Sequence, residues 1–386
     1  MNLVPEVVQI HDEMIGWRHD FHRNPELCFR EIRTAAKVAE LLRSFGMDEM
    51  REGVGSTGVV GVLKNDDGPA IGLRADMDAL ALSDQGQHNH RSTSEGIAHA
   101  CGHDGHVTML LGAAKYLSSS RRFRGTVVFV FQPAEEITSG AQAMLEQGFL
   151  EHYGVQSIYG VHSLPGLAVG RMSITPGTAL AAVDNFKITV AGRSGHASAP
   201  HLARDPIVAA GSMISGLQTI VSRTVDPIDS VVVSVTGLQS SSNLHNVIPE
   251  TVRLMGTVRY LNAAYRDPVP VEMKAIIDGV AAAHGVTASI EYERKCPPLV
   301  NPSSECELAT GVARALLGDD GVVQLPPIMG GEDFAYFLQR IPGVFAFIGN
   351  GEDSASLHNA GFDFNDQALP IGVSYFIRMV EAVLAP

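Results

Sequence analysis

The chain has 386 residues, 45% of them hydrophobic and 18% charged, and a net charge of −14. That length allows two or three domains with a sizeable core, while the apolar runs, VVFVF among them, fall far short of the ~20 residues that a helical membrane crossing needs. The acidic balance, without a basic stripe or polybasic tail, argues against a binder of nucleic acid or anionic membrane and points to a small-molecule partner.

The N-terminal stretch MNLVPEVVQIHDEMIGWRHDFHRNPEL has no basic region followed by an apolar block and a small-residue cleavage site, so a cytoplasmic location is expected. Cys28, Cys101, Cys296 and Cys306 are few and widely spread, which fits reduced thiols rather than a disulfide framework. Helical spacing covers Leu3–His22 and Arg30–Phe45. GVGSTG, Gly53 to Gly58, formally fits a dinucleotide-binding pattern, but the strand-like VVGVL follows it where a helix should, so tight-turn glycines explain it. AIGLRAD, TVVFVFQ and SIYGVH read as further strands, GHVTMLLGAAKYL and GAQAMLEQGFL as helices. This alternation predicts an α/β fold with a largely parallel sheet.

From Asp184 to Pro297 the rhythm changes to strand, helix, two strands, helix, strand. That order is the ferredoxin-like β-α-β-β-α-β motif, an α+β unit that closes on itself. After Pro298 the first rhythm resumes through CELATGVARALLG and GVFAFIGN to the closing helix LPIGVSYFIRMVEAVLA. The expected organisation is one discontinuous catalytic domain, 1–183 plus 298–386, with a smaller domain, 184–297, inserted in it.

In an open α/β sheet, functional groups collect at the carboxyl ends of the strands. GLRADMD ends in Asp76 and Asp78, VVFVFQPAEE in Glu135 and Glu136, and SIYGVHSLP has His162 near its end; His358 follows GVFAFIGN. HACGHDGH adds Cys101 and His103. Cys101, His103, Glu136, His162 and His358 are too many for one tetrahedral ion with an open position, and they suit two divalent ions about 3.5–4 Å apart with a bridging water. The thiolate tilts the metal toward zinc, with manganese, cobalt and nickel as alternatives. Neighbouring residues of an extended chain face opposite sides, so one of Glu135 and Glu136 can bind metal while the other serves as general base. We assign the base to Glu135, although motif order alone leaves the two roles exchangeable.

Ordinary explanations stand beside these. A lone cysteine such as Cys101 is more often a small buried hydrophobe. His99 and His106 are read as structural or as supporting the metal ligands, with hydrogen bonds at the helix start an adequate explanation, and His19 and His22 as surface or capping residues. Asp78 is assigned to orienting a ligand or the bridging water, and Asp76 to that or a cap. Arg259 is equally an ordinary ion-pair partner. No G-x-S-x-G elbow marks a serine nucleophile.

HACGHDGH, FQPAEE, GVHSLPGLAVG, GRSGHASAPH, NVIPE, GTVR and GGEDFAYF occur in the order and spacing of the M20 metallopeptidase family. The chain resembles its M20D branch of hippurate hydrolases, N-acyl-amino-acid amidohydrolases and plant auxin-conjugate hydrolases over nearly its whole length. The resemblance implies a dinuclear hydrolase of N-acyl amino acids working through a metal-bridging hydroxide, with an inserted dimerisation domain. It places the ligands on Cys101, His103, Glu136, His162 and His358 and the base on Glu135. It further implies that His196 reaches across a homodimer to stabilise the oxyanion and that Asn246 and Arg259 line the substrate site. A dipeptidase, an N-carbamoyl-amino-acid hydrolase and a non-catalytic metal-binding relative are the alternatives. One segment departs from the family pattern: after RADMDAL, where a Pro-containing acidic stretch is usual, this chain has ALSDQGQHNHRSTSEGIA.

Overall fold

The computed structural model describes residues 1–385, which divide into two compact units. The larger holds Met1–Ala179, Val300–Pro326 and the chain from Asp333 onward; the smaller holds Leu180–Leu299 and Pro327–Glu332.

The larger unit is built on an eight-stranded mixed sheet in the order Glu49–Val54, Gly58–Asn65, Gly125–Gln132, Ala70–Asp76, Val155–Leu164, Gly343–Gly349, Met172–Ser173, Val322–Val323. The middle four strands, Gly125–Gln132 through Gly343–Gly349, run parallel to one another, so their carboxyl ends meet at one edge. They are buried on both faces, which is why they read as continuous apolar runs instead of alternating ones. The first two strands form an antiparallel hairpin whose turn is GVGSTG, with Gly53, Gly55 and Ser56 at positive φ. A turn with a strand on each side leaves no helix to cradle a pyrophosphate.

Helix His103–Ser120 is the axis of the helical layer and packs against His11–Arg23, Ile32–Phe45 and Leu369–Val383. Two expected helices are each broken in two. The N-terminal one comprises Pro5–Gln9 and His11–Arg23, separated at Ile10, and GAQAMLEQGFL comprises Gly140–Glu146 and Phe149–Tyr153. Apolar periodicity persists through both breaks, and periodicity alone does not register one or two residues out of helical geometry.

The smaller unit has a four-stranded antiparallel sheet in the order Val231–Ser240, Thr251–Tyr260, Ala182–Ala191, Thr287–Cys296, with helices Pro206–Thr219 and Pro268–His284 packed on one face. Burial alternates residue by residue along Thr251–Tyr260, as a sheet with one covered face requires. Among the described residues no helix is long and apolar enough to cross a membrane.

Candidate metal centre

Parallel strands place the polar side chains of the larger unit together. Asp76 ends its strand level with Gln132 on the neighbouring one, and His162 pairs in register with Phe347. A turn carrying Glu135 and Glu136 follows Gln132, and a loop beyond Gly349 carries His358.

HACGHDGH leads into helix His103–Ser120, and two of its residues have to be glycine. Gly102 has φ +87°, and a Cβ there would stand 2.4 Å from Ser163 Oγ; a Cβ on Gly105 would stand 2.3 Å from the Phe364 ring. With both positions bare, the helix start closes on strand Val155–Leu164 and Cys101 Sγ comes within 3.5 Å of His162 Nε2. His358 is held from the other side: its backbone is left-handed, φ 60°, and its N–H donates to Ala100 O at 2.7 Å.

The structure brings Cys101, His103, Glu136, His162 and His358 into one connected cluster. Glu136 is its hub, with Oε1 3.8 Å from His103 Nε2 and Oε2 3.3 Å from His358 Nε2. One ligand atom each from Cys101, Glu136 and His358 lies within 4.8 Å of the others, and the same holds for His103, Glu135 and Glu136. His103 Nδ1 bonds Asp78 O at 2.8 Å and His162 Nδ1 bonds Ser163 O at 2.7 Å, so each donates through Nδ1 and turns Nε2 into the cluster. His103 Nε2 and Glu136 Oε1 are buried and have no hydrogen-bond partner. Each such atom left unpaired costs about 1–3 kcal/mol, a cost that a cation between them removes.

The electrostatics have the same sense. Burial drives Glu136 up to about 7, with Asp78 adding to it against the pull of His103. Burial alone would lower His103, but Asp76, Asp78 and Glu136 outweigh it and raise the imidazole to about 10. Burial, then Glu136, Glu135 and Asp76, push the Cys101 thiol up. A site crowded with carboxylates and a thiol draws positive charge, whether from protons or from metal. Thiolate, imidazole and carboxylate donors together fit zinc-class ions.

Glu135 and Glu136 are not on extended chain as expected. They occupy a turn bounded by Ala134 at φ 51° and Thr138 at φ 54°, so alternation does not separate them, and both carboxylates approach His103. Asp78 shapes this turn, accepting the Glu135 N–H at 3.0 Å on Oδ1 and the Glu136 N–H at 2.9 Å on Oδ2. Its carboxylate holds the backbone of both glutamates and also faces His103 Nδ1 at 3.3 Å.

The His106 backbone N–H makes a helix-start bond to Gly102 O at 3.1 Å, and its ring bonds Asp76 at 2.6 Å through Nδ1 and accepts the Ser163 N–H at 2.9 Å on Nε2. His99 is buried, and neither ring nitrogen has a hydrogen-bond partner. Asp76 is no cap: it is paired with Arg74 at 2.7 Å, and its Oδ2 lies 3.9 Å from His103 Nε2, in a group with His106 and His162. Arg74 in turn bonds Gln132 and Asp333, a buried network that sequence reading missed although a charged residue inside an apolar strand run was its signal. His19, a quarter exposed, bonds Asp366 at 3.0 Å. His22 is not on the surface: it is buried, and its Nδ1 bonds Asp104 at 2.8 Å.

The other three candidate residues belong to the smaller unit. His196 is exposed on the two-residue strand Gly195–His196, paired with Val247, and the Ala197 N–H donates to Asn246 O at 3.0 Å, so His196 and Asn246 are neighbours. The Ser198 N–H donates to His196 Nδ1 at 3.1 Å, which leaves Nε2 as the N–H donor of the neutral ring. Arg259 lies on the open face of Thr251–Tyr260 and bonds Thr257 Oγ1 and Val258 O.

The model of the peptidase family M20/M25/M40 matches residues 72–382. The chain is 40% identical to a hippurate hydrolase of Campylobacter jejuni over 98% of both chains, and 38% identical to an N-acetylcysteine deacetylase of Bacillus subtilis over 97% of both. A solved dinuclear metal-binding peptidase of the M20 family from Bacillus subtilis superposes with a TM-score of 0.85 at 36% identity, covering 97% of this chain and 99% of that one.

Proposed function

This chain belongs to the peptidase family M20/M25/M40, and from that premise we propose that it is a metal-dependent amidohydrolase cleaving the amide bond of N-acyl amino acids. The observation that carries the reading is the buried pair His103 Nε2 and Glu136 Oε1, without hydrogen-bond partners and ringed by Cys101, His162 and His358, with a second carboxylate on Glu135 at the same place. The names of the relatives, a hippurate hydrolase and an N-acetylcysteine deacetylase, supply the substrate class.

Cys101, His103, Glu136, His162 and His358 would hold two divalent ions, zinc being favoured by the thiolate. When bound, the ions supply Lewis acidity toward the scissile carbonyl and acidify a water. Glu135 takes a proton from the attacking water as its oxygen bonds the carbonyl carbon. When the C–N bond breaks, Glu135 returns that proton to the leaving amine nitrogen. Asp78 is a positioning residue, fixing through two backbone N–H groups the turn from which Glu135 and Glu136 project. His196 donates its Nε2–H to the developing oxyanion within a homodimer, and Asn246 and Arg259 contact the substrate. The enzyme works in the cytoplasm.

Glu135→Gln tests the assignment. It keeps the metal content of the wild type, read by elemental analysis, while kcat on an N-acyl-amino-acid panel falls by about 10²–10⁴-fold. Full turnover in that variant, or loss of the ions, removes Glu135 from the role of base.

A further inference from the structure

A second group of imidazoles and carboxylates lies in the larger unit, outside the cluster assigned above. It is assembled from His22 on helix His11–Arg23, from Asp84, His88 and His90 in the stretch where the sequence departs from its family, and from Asp363 near the C-terminus. One ligand atom each from His22, His88 and Asp363 lies within 4.8 Å of the others. Asp84 stands beside them, with Oδ2 3.3 Å from His22 Nε2 and Oδ1 4.0 Å from His88 Nε2.

Hydrogen bonding does not account for this arrangement. His22 Nε2 and both ring nitrogens of His88 are buried and make no hydrogen bond, although buried polar atoms in folded proteins are nearly always paired. His22 is oriented as a metal-binding histidine is: its Nδ1 donates to the buried Asp104 at 2.8 Å, which turns Nε2 toward His88 and Asp84. The remaining neighbours brace the group. His90 bonds both oxygens of Asp363, at 3.0 and 3.1 Å, and stacks on His88 at 3.9 Å between ring centroids. Arg18 holds Asp363 Oδ1 at 2.6 Å. The Gly86 and Ser92 N–H groups hold the two oxygens of Asp84, both at 2.8 Å. Asp363 also lines a cavity of about 620 Å³ together with Asn350, Asn365 and Asp366.

We propose that His22, His88 and Asp363, with Asp84 beside them, form a further divalent-cation site on this chain. Two imidazoles with carboxylates and no thiolate select zinc, cobalt, nickel or copper over magnesium or calcium. Ligand atoms spaced as these are reach the ~2.0–2.2 Å of a shared ion by small ring rotations. The site does not depend on the hydrolase reading and takes nothing from the ligand set of that centre.

Zinc counting tests it. Full-length wild type, His88→Gln and His88→Phe are dialysed to equilibrium against the same micromolar zinc buffer, and zinc per chain is measured by elemental analysis. His88→Phe keeps a ring to stack on His90 but has no nitrogen to offer; His88→Gln covers the event that the phenyl ring disturbs the loop, and circular dichroism checks the fold of both. The folded variants hold one zinc per chain fewer than the wild type. An equal count in wild type and variants overturns the proposal, whatever the number at the other centre, because the result is a difference between proteins.

Discussion

The two sheets solve different problems. In the larger unit the middle strands are covered on both faces, so an unbonded polar atom at that edge is costly and the buried aspartates are tied to neighbours: Asp78 serves two backbone N–H groups, Asp76 serves Arg74 and His106, and Asp104 serves His22. In the smaller unit the sheet has one open face, and the candidate residues there are exposed or half-buried and lightly held; His196 is fixed by its neighbours Ser198 and Val247. Function in the first region is inseparable from folding. In the second, the proposed roles fall to side chains that are lightly held.

That contrast is broken or sharpened most strongly at His196. Its replacement by alanine lowers kcat by about 10²–10³-fold, the usual loss of one oxyanion donor, while the denaturant midpoint stays within experimental scatter. A fall in stability of the size seen for a core residue would show that His196 is not the lightly held group its exposure indicates.

The second effect belongs to the buried side of the comparison. Burial opposes the charged form of His22, but Asp104 and Asp84 overcome this and raise it from 6.5 to about 9. A raised histidine means that the folded chain binds the proton more tightly than the unfolded one. Its contribution, up to roughly 3 kcal/mol, is therefore complete below about pH 6.5 and is lost as the pH rises through 9. Urea unfolding of chelator-treated protein between pH 6 and 10 shows a slope of this sense in the wild type that is shallower in His22→Gln, where His103, raised to about 10, still contributes. Equal slopes in the two proteins would mean that the His22–Asp104 pair does not hold a proton in the folded chain.

How much of this was legible follows from what a sequence can encode locally. The α/β class, the parallel sheet and the residues at its carboxyl edge could be read because each strand is an apolar run with a ligand-type side chain at or just beyond its end. HACGHDGH could be read because its donors are contiguous. What escaped was pairing at a distance: His22 with Asp104 is 82 residues apart, and Arg74 with Asp333 is 259. The turn at Glu135 and Glu136 escaped for another reason. Its left-handed residues are Ala134 and Thr138, neither of which advertises a positive φ as glycine does. His88 and His90 sit in a stretch with neither period, so only the folded chain shows that they meet His22.

The smallest expected effect probes the open face directly. Met255 is 51% exposed on strand Thr251–Tyr260, on the same side as Arg253, Thr257 and Arg259, while its neighbours Leu254 and Gly256 point into the core of the smaller unit. Threonine brings the β-branched character that a strand favours and removes apolar area that solvent already reaches. Met255→Thr therefore shifts the unfolding free energy by no more than about 0.5 kcal/mol, as surface substitutions do, whereas Leu254→Ala, one residue away and 1% exposed, costs about 2–5 kcal/mol. Urea titrations of the two variants measure the difference. A large loss at Met255 would mean that this face is covered in solution, and the exposure that separates the two sheets would then describe only the isolated chain.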